Sequence, residues 1–253
     1  MSNLNSVIPT GSLRATTTRR SVLIAVSLLL PVFAFFLLEP PQVAEVQSSE
    51  SECFDLVQGR IAWNYEGNRS WSPNNIQNLC RGTSNPRQPG RCFYRAMHGN
   101  INWGGGTRWQ WENALQLCAG TNDADETISC FQEKVRSGLG WSDAIRACNE
   151  RRCFNLVQGQ IAWNYEGSRT WVANNVQNLC RGASNPTQPP RCFARAMHGG
   201  INWGGSTRWQ WENALSLCTG SKNAGTTISC FQEKITNGVS WQEAIQSCKG
   251  DRS

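Results

Sequence analysis

Histidine, methionine and tyrosine are scarce in this chain, with two, three and three copies among 253 residues. No Cys-x-x-Cys pair occurs, and two histidines cannot complete several zinc sites, so metal binding by the cysteines is disfavoured. The sequence also lacks a Gly-x-Ser-x-Gly turn, a phosphate-binding loop and a metal-binding motif. We therefore expect a protein that is not an enzyme and that carries neither a metal nor a cofactor.

Cysteine is absent before residue 53 and abundant after it, with twelve copies. The number of cysteines is even, and metal binding is disfavoured. We therefore predict a disulfide framework, which forms in an oxidising compartment. From Cys53 onward, 21 Lys and Arg residues stand against 14 Asp and Glu, a net charge of +7. These charges are scattered, so we expect no nucleic-acid partner, while a preference for anionic partners such as acidic glycans stays open.

One long apolar run, residues 21–38, contains no charged residue and follows three arginines, Arg14, Arg19 and Arg20. Its 18 residues stand at the lower limit for crossing a bilayer. The run is either a membrane anchor, with residues 1–20 as a cytoplasmic tail, or the apolar part of a cleaved signal peptide. Both alternatives place the cysteines outside the cytoplasm, either anchored to the membrane or secreted. Residues 39–52, with two prolines and four glutamates, predict an extended linker.

The cysteine-rich region is a duplication with a constant offset of 100 residues. Residues 53–150 form the first half and residues 151–253 the second, and roughly 70% of the equivalent positions are identical. All six cysteines and all six tryptophans of the first half return in the second. We treat each half as one Cys- and Trp-rich domain.

Each half contains three shorter units that open with Cys-Phe and close on a second cysteine. In "CFYRAMHG", Cys92, Phe93, Ala96 and Met97 share one helical face, and Gly99 follows where a helix ends. In "WENALQLC", Trp111, Ala114, Leu115 and Cys118 form a second apolar face. The fold prediction is mainly α: six tandem, disulfide-stapled helical hairpins arranged as two halves of three units.

The hairpin geometry predicts the disulfide pairing, because the start of one helix lies beside the end of its antiparallel partner. Each bridge should therefore remain within its unit. The predicted pairs are Cys53–Cys80, Cys92–Cys118, Cys130–Cys148, Cys153–Cys180, Cys192–Cys218 and Cys230–Cys248.

The tryptophans fall into two predicted classes. Trp63, Trp103 and Trp141 follow the glycine turn of their units, and we expect them in the core. Trp71 and Trp109 lie in the inserted loops of the long units, beside Tyr, Glu, Arg and Gly residues suited to a small binding pocket. The predicted ligand-binding residues are Tyr65, Glu66, Trp71, Arg108, Trp109, Tyr165, Glu166, Trp171, Arg208 and Trp209.

Two functions follow from these alternatives. The first is an exported or membrane-anchored, lectin-like surface module that binds a neutral or anionic glycan through its Trp-rich loops, with two sites acting together. The second is a structural or protein-interaction repeat module in which the tryptophans are core residues and no small ligand binds.

Overall fold

The computed structural model describes residues 41–250 of the chain, with side chains from residue 47 onward. Within that range the protein contains eleven α-helices and no β-strand, which confirms the predicted α class. The helices are α1 Pro41–Val57, α2 Pro73–Cys80, α3 Arg87–His98, α4 Trp111–Cys118, α5 Ala124–Arg136, α6 Trp141–Val157, α7 Ala173–Cys180, α8 Gln188–His198, α9 Trp211–Cys218, α10 Ala224–Thr236 and α11 Trp241–Cys248.

The first helix corrects one prediction. Residues 41–52 are helical as part of α1, so the expectation of an extended linker over 39–52 is wrong for most of that segment. Proline is well suited to a helix start, and the residues between Pro41 and Cys53 include no further proline or glycine that would end the helix. No helix of the described part is both long and apolar enough to cross a membrane. The tail 1–20 and the apolar run 21–38 lie outside the described residues.

All six predicted disulfides are present, and each joins cysteines on successive helices. Within each half the bridges span sequence separations of 27, 26 and 18 residues. A bridge over a loop of this size stabilises the fold by about 3 kcal/mol, chiefly by restricting the unfolded chain. Helical units this short cannot bury a sufficient core alone, so the bridges supply stability that packing lacks.

Helix α6 joins the two halves without a break. It carries both Cys148, which closes the third unit, and Cys153, which opens the fourth. The four residues between them, "NERR", contain no glycine or proline, and so the helix continues across position 150. The described chain therefore has eleven helices where six separate hairpins would have twelve.

Within each half, buried aromatic pairs connect one unit to the next. The ring of Trp71 packs against Phe93 at 4.8 Å between centroids, and Trp109 packs against Phe131 at 4.9 Å. Phe93 and Phe131 are the phenylalanines of the Cys-Phe pairs that open the following units, and both are fully buried. The second half repeats these contacts with Trp171 on Phe193 and Trp209 on Phe231. The Cys-Phe motif thus supplies the bridge within a unit and the packing partner for its neighbour.

The two halves contact each other through polar side chains of the second half that lie close to the backbone of the first. Asn185 Nδ2 and Thr187 Oγ1 donate hydrogen bonds to the carbonyl oxygen of Arg81 at 3.1 and 3.3 Å. A Cβ at Gly82 would collide with the Thr187 side chain, so only glycine permits this approach. Glu50 of α1 also forms an ion pair with Arg191 of α8.

Arg152 of α6 is part of the same junction. Its Nη2 donates hydrogen bonds to the carbonyl oxygen of Leu117 at 2.9 Å and to Oδ1 of Asn149 at 2.5 Å. Burial lowers the pKa of Arg152 to about 10, and the nearby Glu126 carboxylate opposes that shift, so the guanidinium remains cationic at neutral pH. Arg152 of the second half therefore makes a specific polar contact with Leu117 of the first half.

Candidate functional site

The two tryptophans predicted to bind ligand in the first half lie in the core. Trp71 and Trp109 are 5% and 4% exposed, and their counterparts Trp171 and Trp209 are 6% and 4% exposed. The indole N–H of Trp71 donates to the carbonyl oxygen of Ile61 at 2.8 Å, and that of Trp109 donates to Ile101 at 2.7 Å. These loop tryptophans, predicted to contact a ligand, are therefore almost fully buried. Both rings turn inward because the phenylalanine of the next unit offers them an apolar partner.

The tryptophans assigned to the core are only partly buried. Trp63, Trp103 and Trp141 pack against the core of the first half, yet each keeps part of its surface exposed. Trp63 meets Trp111 edge to face at 5.9 Å between ring centroids. In the second half, Trp203 and Trp241, the counterparts of Trp103 and Trp141, meet at 6.2 Å in the same manner. The partly exposed indole surface thus belongs to a different set of tryptophans from the predicted one.

Six residues line a groove between the second and third units of the first half. The groove has a volume of about 180 Å³, and its lining residues are Trp103, Arg108, Trp109, Gln110, Asn113 and Trp141. A groove of about 190 Å³ occupies the equivalent place in the second half, lined by Trp203, Arg208, Trp209, Gln210, Asn213, Phe231 and Trp241. The six shared positions carry identical residues, although roughly 30% of positions differ between the halves.

The glycine-rich loop holds Trp103 in place at one side of this groove. The amide of Trp103 donates to the carbonyl oxygen of Gly106 at 2.9 Å, and its indole N–H donates to the carbonyl oxygen of Arg108 at 3.2 Å. Gly104 has a φ of +102°, a value that side chains with a Cβ rarely adopt. A Cβ at Gly105 would collide with the six-membered part of the Trp103 indole. Glycine is therefore required where the loop folds beneath the ring.

Tyr65 and Arg108 stand together beside the groove. The Tyr65 hydroxyl accepts a hydrogen bond from the amide of Trp109 at 2.6 Å. The guanidinium carbon of Arg108 lies 4.9 Å from the centre of the Tyr65 ring, a cation–π contact. Of the predicted ligand-binding residues in the first half, the structure thus brings Tyr65, Arg108 and Trp109 together. Trp71 lies in the core and Glu66 is exposed on the adjoining loop.

The second half repeats this arrangement. Tyr165 accepts from the amide of Trp209 at 2.6 Å, and the guanidinium of Arg208 lies 4.8 Å from the Tyr165 ring centre. Glu166 is exposed and Trp171 is buried, as their counterparts are.

Three lining side chains are free to bind a ligand. Within the described residues, Arg108, Gln110 and Asn113 make no side-chain hydrogen bond or ion pair. Gln110 precedes α4 and Asn113 lies in its first turn, so the start of one helix positions both amides. An amide group offers two donors and an acceptor, and guanidinium offers five donors. Two tryptophan rings with free donors and acceptors between them form a site for a ligand that has both apolar faces and hydroxyl or acidic groups.

Sequence reasoning missed Gln110 and Asn113 and assigned Trp103 and Trp141 to the core. The signal that could have found them is the invariance of these four positions between the diverged halves. Among the described residues, no group of three or more His, Cys, Asp or Glu side chains is arranged to hold a metal ion. Comparison of the chain with protein-family models, curated proteins and solved structures finds no match.

Proposed function

We propose that this protein is an exported surface module that binds carbohydrate in two equivalent grooves. The observation that carries the proposal is the duplicated groove, in which Trp103 and Trp141 flank the unpaired amides of Gln110 and Asn113. A sugar ring presents an apolar C–H face suited to stacking on an indole, and its hydroxyls pair with amide donors and acceptors. A site with aromatic walls and a few convergent polar groups is typical of small-ligand recognition.

Two grooves in one protein favour a polymeric ligand. Each groove is small, at about 180 to 190 Å³, and a single sugar-binding site of this size offers few contacts. If a polysaccharide occupies both grooves, the second contact forms at the high effective concentration set by the first. Variants that disable one groove should therefore keep weak retention on an immobilised polysaccharide, and retention should fall much further when both grooves are disabled.

We also propose a location outside the cytoplasm. The six disulfides indicate an oxidising compartment. The arginines that precede the apolar run 21–38 favour export of everything that follows the run, with the run either retained as an anchor or cleaved. A reporter that is active only outside the cytoplasm, fused after Ser253, should be active. Activity of a reporter that works only inside the cytoplasm would contradict this location.

The second candidate function is a protein-interaction repeat module without a small ligand. The observation in its favour is that four of the twelve tryptophans, two in each half, are core residues. In that case the partly exposed tryptophans would contact a protein partner, and no glycan would bind.

The test is a binding screen against a panel of polysaccharides and oligosaccharides, with variants that leave the fold intact. The double variants Gln110→Ala/Gln210→Ala and Asn113→Ala/Asn213→Ala remove amides that make no side-chain bonds in the described protein. We expect each to weaken binding of the selected glycan by about tenfold, the value of one or two hydrogen bonds per groove.

The matched control is Gln77→Ala/Gln177→Ala, which removes two exposed amides at the same 100-residue spacing on α2 and α7. This control should bind as the unaltered protein does. If no glycan binds, or if the control and groove variants lose affinity equally, the carbohydrate proposal is wrong.

A further inference from the structure

The charge of the groove bears on which carbohydrates it selects, and the following inference rests on the function proposed above. Arg108 is exposed at the groove, and no carboxylate oxygen of the described residues lies within 4.0 Å of its guanidinium. Other arginines of the protein are paired, for example Arg91 with Asp125 at 3.0 Å and Arg146 with Asp143 at 2.6 Å. The groove thus keeps an uncompensated positive charge beside its tryptophans, and Arg208 repeats this in the second half.

The position of this charge is fixed by packing. The Arg108 guanidinium lies over the Tyr65 ring, and the hydroxyl of that tyrosine accepts a hydrogen bond from the backbone amide of Trp109. Stacking of a guanidinium on an aromatic ring occupies its flat face and leaves its N–H edge available for hydrogen bonds. The same three groups recur at Tyr165, Arg208 and Trp209, with centroid distances that agree within 0.1 Å. A long, flexible side chain is thereby ordered before any ligand arrives, which lowers the entropic cost of binding.

We propose that the ligand is an anionic sugar, whose carboxylate or sulfate accepts hydrogen bonds from the Arg108 and Arg208 guanidinium groups. Guanidinium presents parallel N–H donors that match two oxygens of such a group, and charge-assisted bonds of this kind are stronger than neutral ones. The sugar ring then packs against Trp103 or Trp203, while the amides of the groove bind its hydroxyls. Arg108 and Arg208 are in this account the residues that select acidic over neutral sugars.

Matched pairs of polysaccharides that differ only in charge test the inference. Polygalacturonate and its methyl ester share one backbone, as do dextran sulfate and dextran. Binding of each to the purified protein is measured by titration calorimetry at physiological ionic strength. We expect at least one acidic member to bind about tenfold or more tightly than its neutral counterpart, the value of a charged hydrogen bond. Preference within the first pair identifies a carboxylate as the recognised group, and preference within the second identifies a sulfate.

Arginine variants separate specific recognition from general attraction to a basic protein. Arg108→Gln/Arg208→Gln should remove the preference for the acidic member and leave affinity for the neutral member within about twofold. Arg108→Lys/Arg208→Lys keeps the positive charge but removes the planar pair of N–H donors, and it should retain only part of the preference. The control Arg69→Gln/Arg169→Gln removes the same charge from two exposed positions outside the grooves and should keep the preference.

Each remaining outcome is decisive. Equal binding of acidic and neutral members, or equal losses in the groove and control variants, would overturn the anionic-sugar inference while the carbohydrate proposal stands. Failure to bind any polysaccharide of a broad panel would overturn both.

Discussion

The two tryptophans that border the glycine-rich loop have opposite environments. Trp109 is 4% exposed, packs on Phe131 and donates its indole N–H to a backbone carbonyl. Trp103 is partly exposed and lies over Gly105 at one side of the groove. The first ring supports the stack of helical units, and the second lines the groove. Their separation by six positions in the sequence gives no indication of this difference.

Alanine substitution should distinguish the two rings. Trp109→Ala removes a large buried ring and a buried hydrogen bond, and we expect a loss of about 3–5 kcal/mol in the free energy of unfolding. Trp103→Ala removes a partly exposed ring, and we expect a loss of about 1 kcal/mol. Denaturant titration of each variant measures both values. A larger loss for Trp103→Ala would contradict the burial described here.

The sequence could predict the cysteine pairs but not the roles of these rings. Pairing follows from the order of helices and from the position of each cysteine at a helix end, which the apolar periodicity and the repeat both indicate. The direction of a loop side chain depends on its tertiary partner, and the partner of Trp71 or Trp109 is a phenylalanine in the next unit. Glycine and polar residues beside Trp109 suggested an exposed loop, although the glycines serve the packing of Trp103.

At the scale of the element, helix starts differ in how their free amides are satisfied. Asp123 caps α5 by accepting hydrogen bonds from the amides of Asp125 and Glu126 at 2.9 and 3.0 Å. Asn223 caps α10 in the same way, through the amides of Gly225 and Thr226. By contrast, the residue before α4, Gln110, provides no side-chain cap.

Removal of these caps should weaken the fold by a defined amount. Asp123→Ala and Asn223→Ala should each lower the free energy of unfolding by about 1 kcal/mol, because two helix amides lose their acceptor. Gln110→Ala should change it by no more than about 0.5 kcal/mol, as for a surface position without partners. Thermal unfolding of the three variants gives the comparison, and equal losses for all three would contradict the capping assignment.

The bounds of helices α1 and α6 could not be predicted from the sequence. The repeat predicts a break between Cys148 and Cys153, because one unit ends and another begins there. The local residues carry no stop signal, and the helix continues through them. Residues 41–52 likewise contain no residue that ends a helix. Their proline and glutamate content is typical of a linker, but Pro41 is the only proline among them and stands at the start of the helix. Neither the composition of residues 41–52 nor the repeat boundary at position 150 indicates the helical backbone found there.

At the scale of the whole molecule, one glycine pair reports on the contact between the halves. Gly82 and Gly182 are equivalent and both have positive φ, at +85° and +75°. A Cβ at Gly82 would collide with Thr187, whereas a Cβ at Gly182 would meet nothing within 4 Å. The difference arises because Thr187 of the second half approaches Gly82, whereas none of the described residues approaches Gly182 in the same way.

Alanine at these two positions should therefore have unequal effects. Both variants place a Cβ in a left-handed conformation, at a cost of about 1 kcal/mol. Gly82→Ala also forces apart the contact with Thr187, and overpacking of this kind costs roughly 2 kcal/mol more. Denaturant titration measures the difference between the variants. Equal destabilisation would show that the halves do not pack together through Gly82 and Thr187.

In the proposed function, the partly exposed tryptophans of the two grooves contact a glycan, while the buried tryptophans hold the units together. Indole N–H resonances of the twelve tryptophans in a ¹⁵N-labelled sample report on this directly, during titration with the oligosaccharide that binds most tightly in the screen. We predict that the signals of Trp103, Trp141, Trp203 and Trp241 shift with ligand concentration, and that those of Trp71 and Trp171 remain in place. Shifts confined to Trp71 and Trp171, or the absence of shifts at all four groove tryptophans under saturating ligand, would contradict the account.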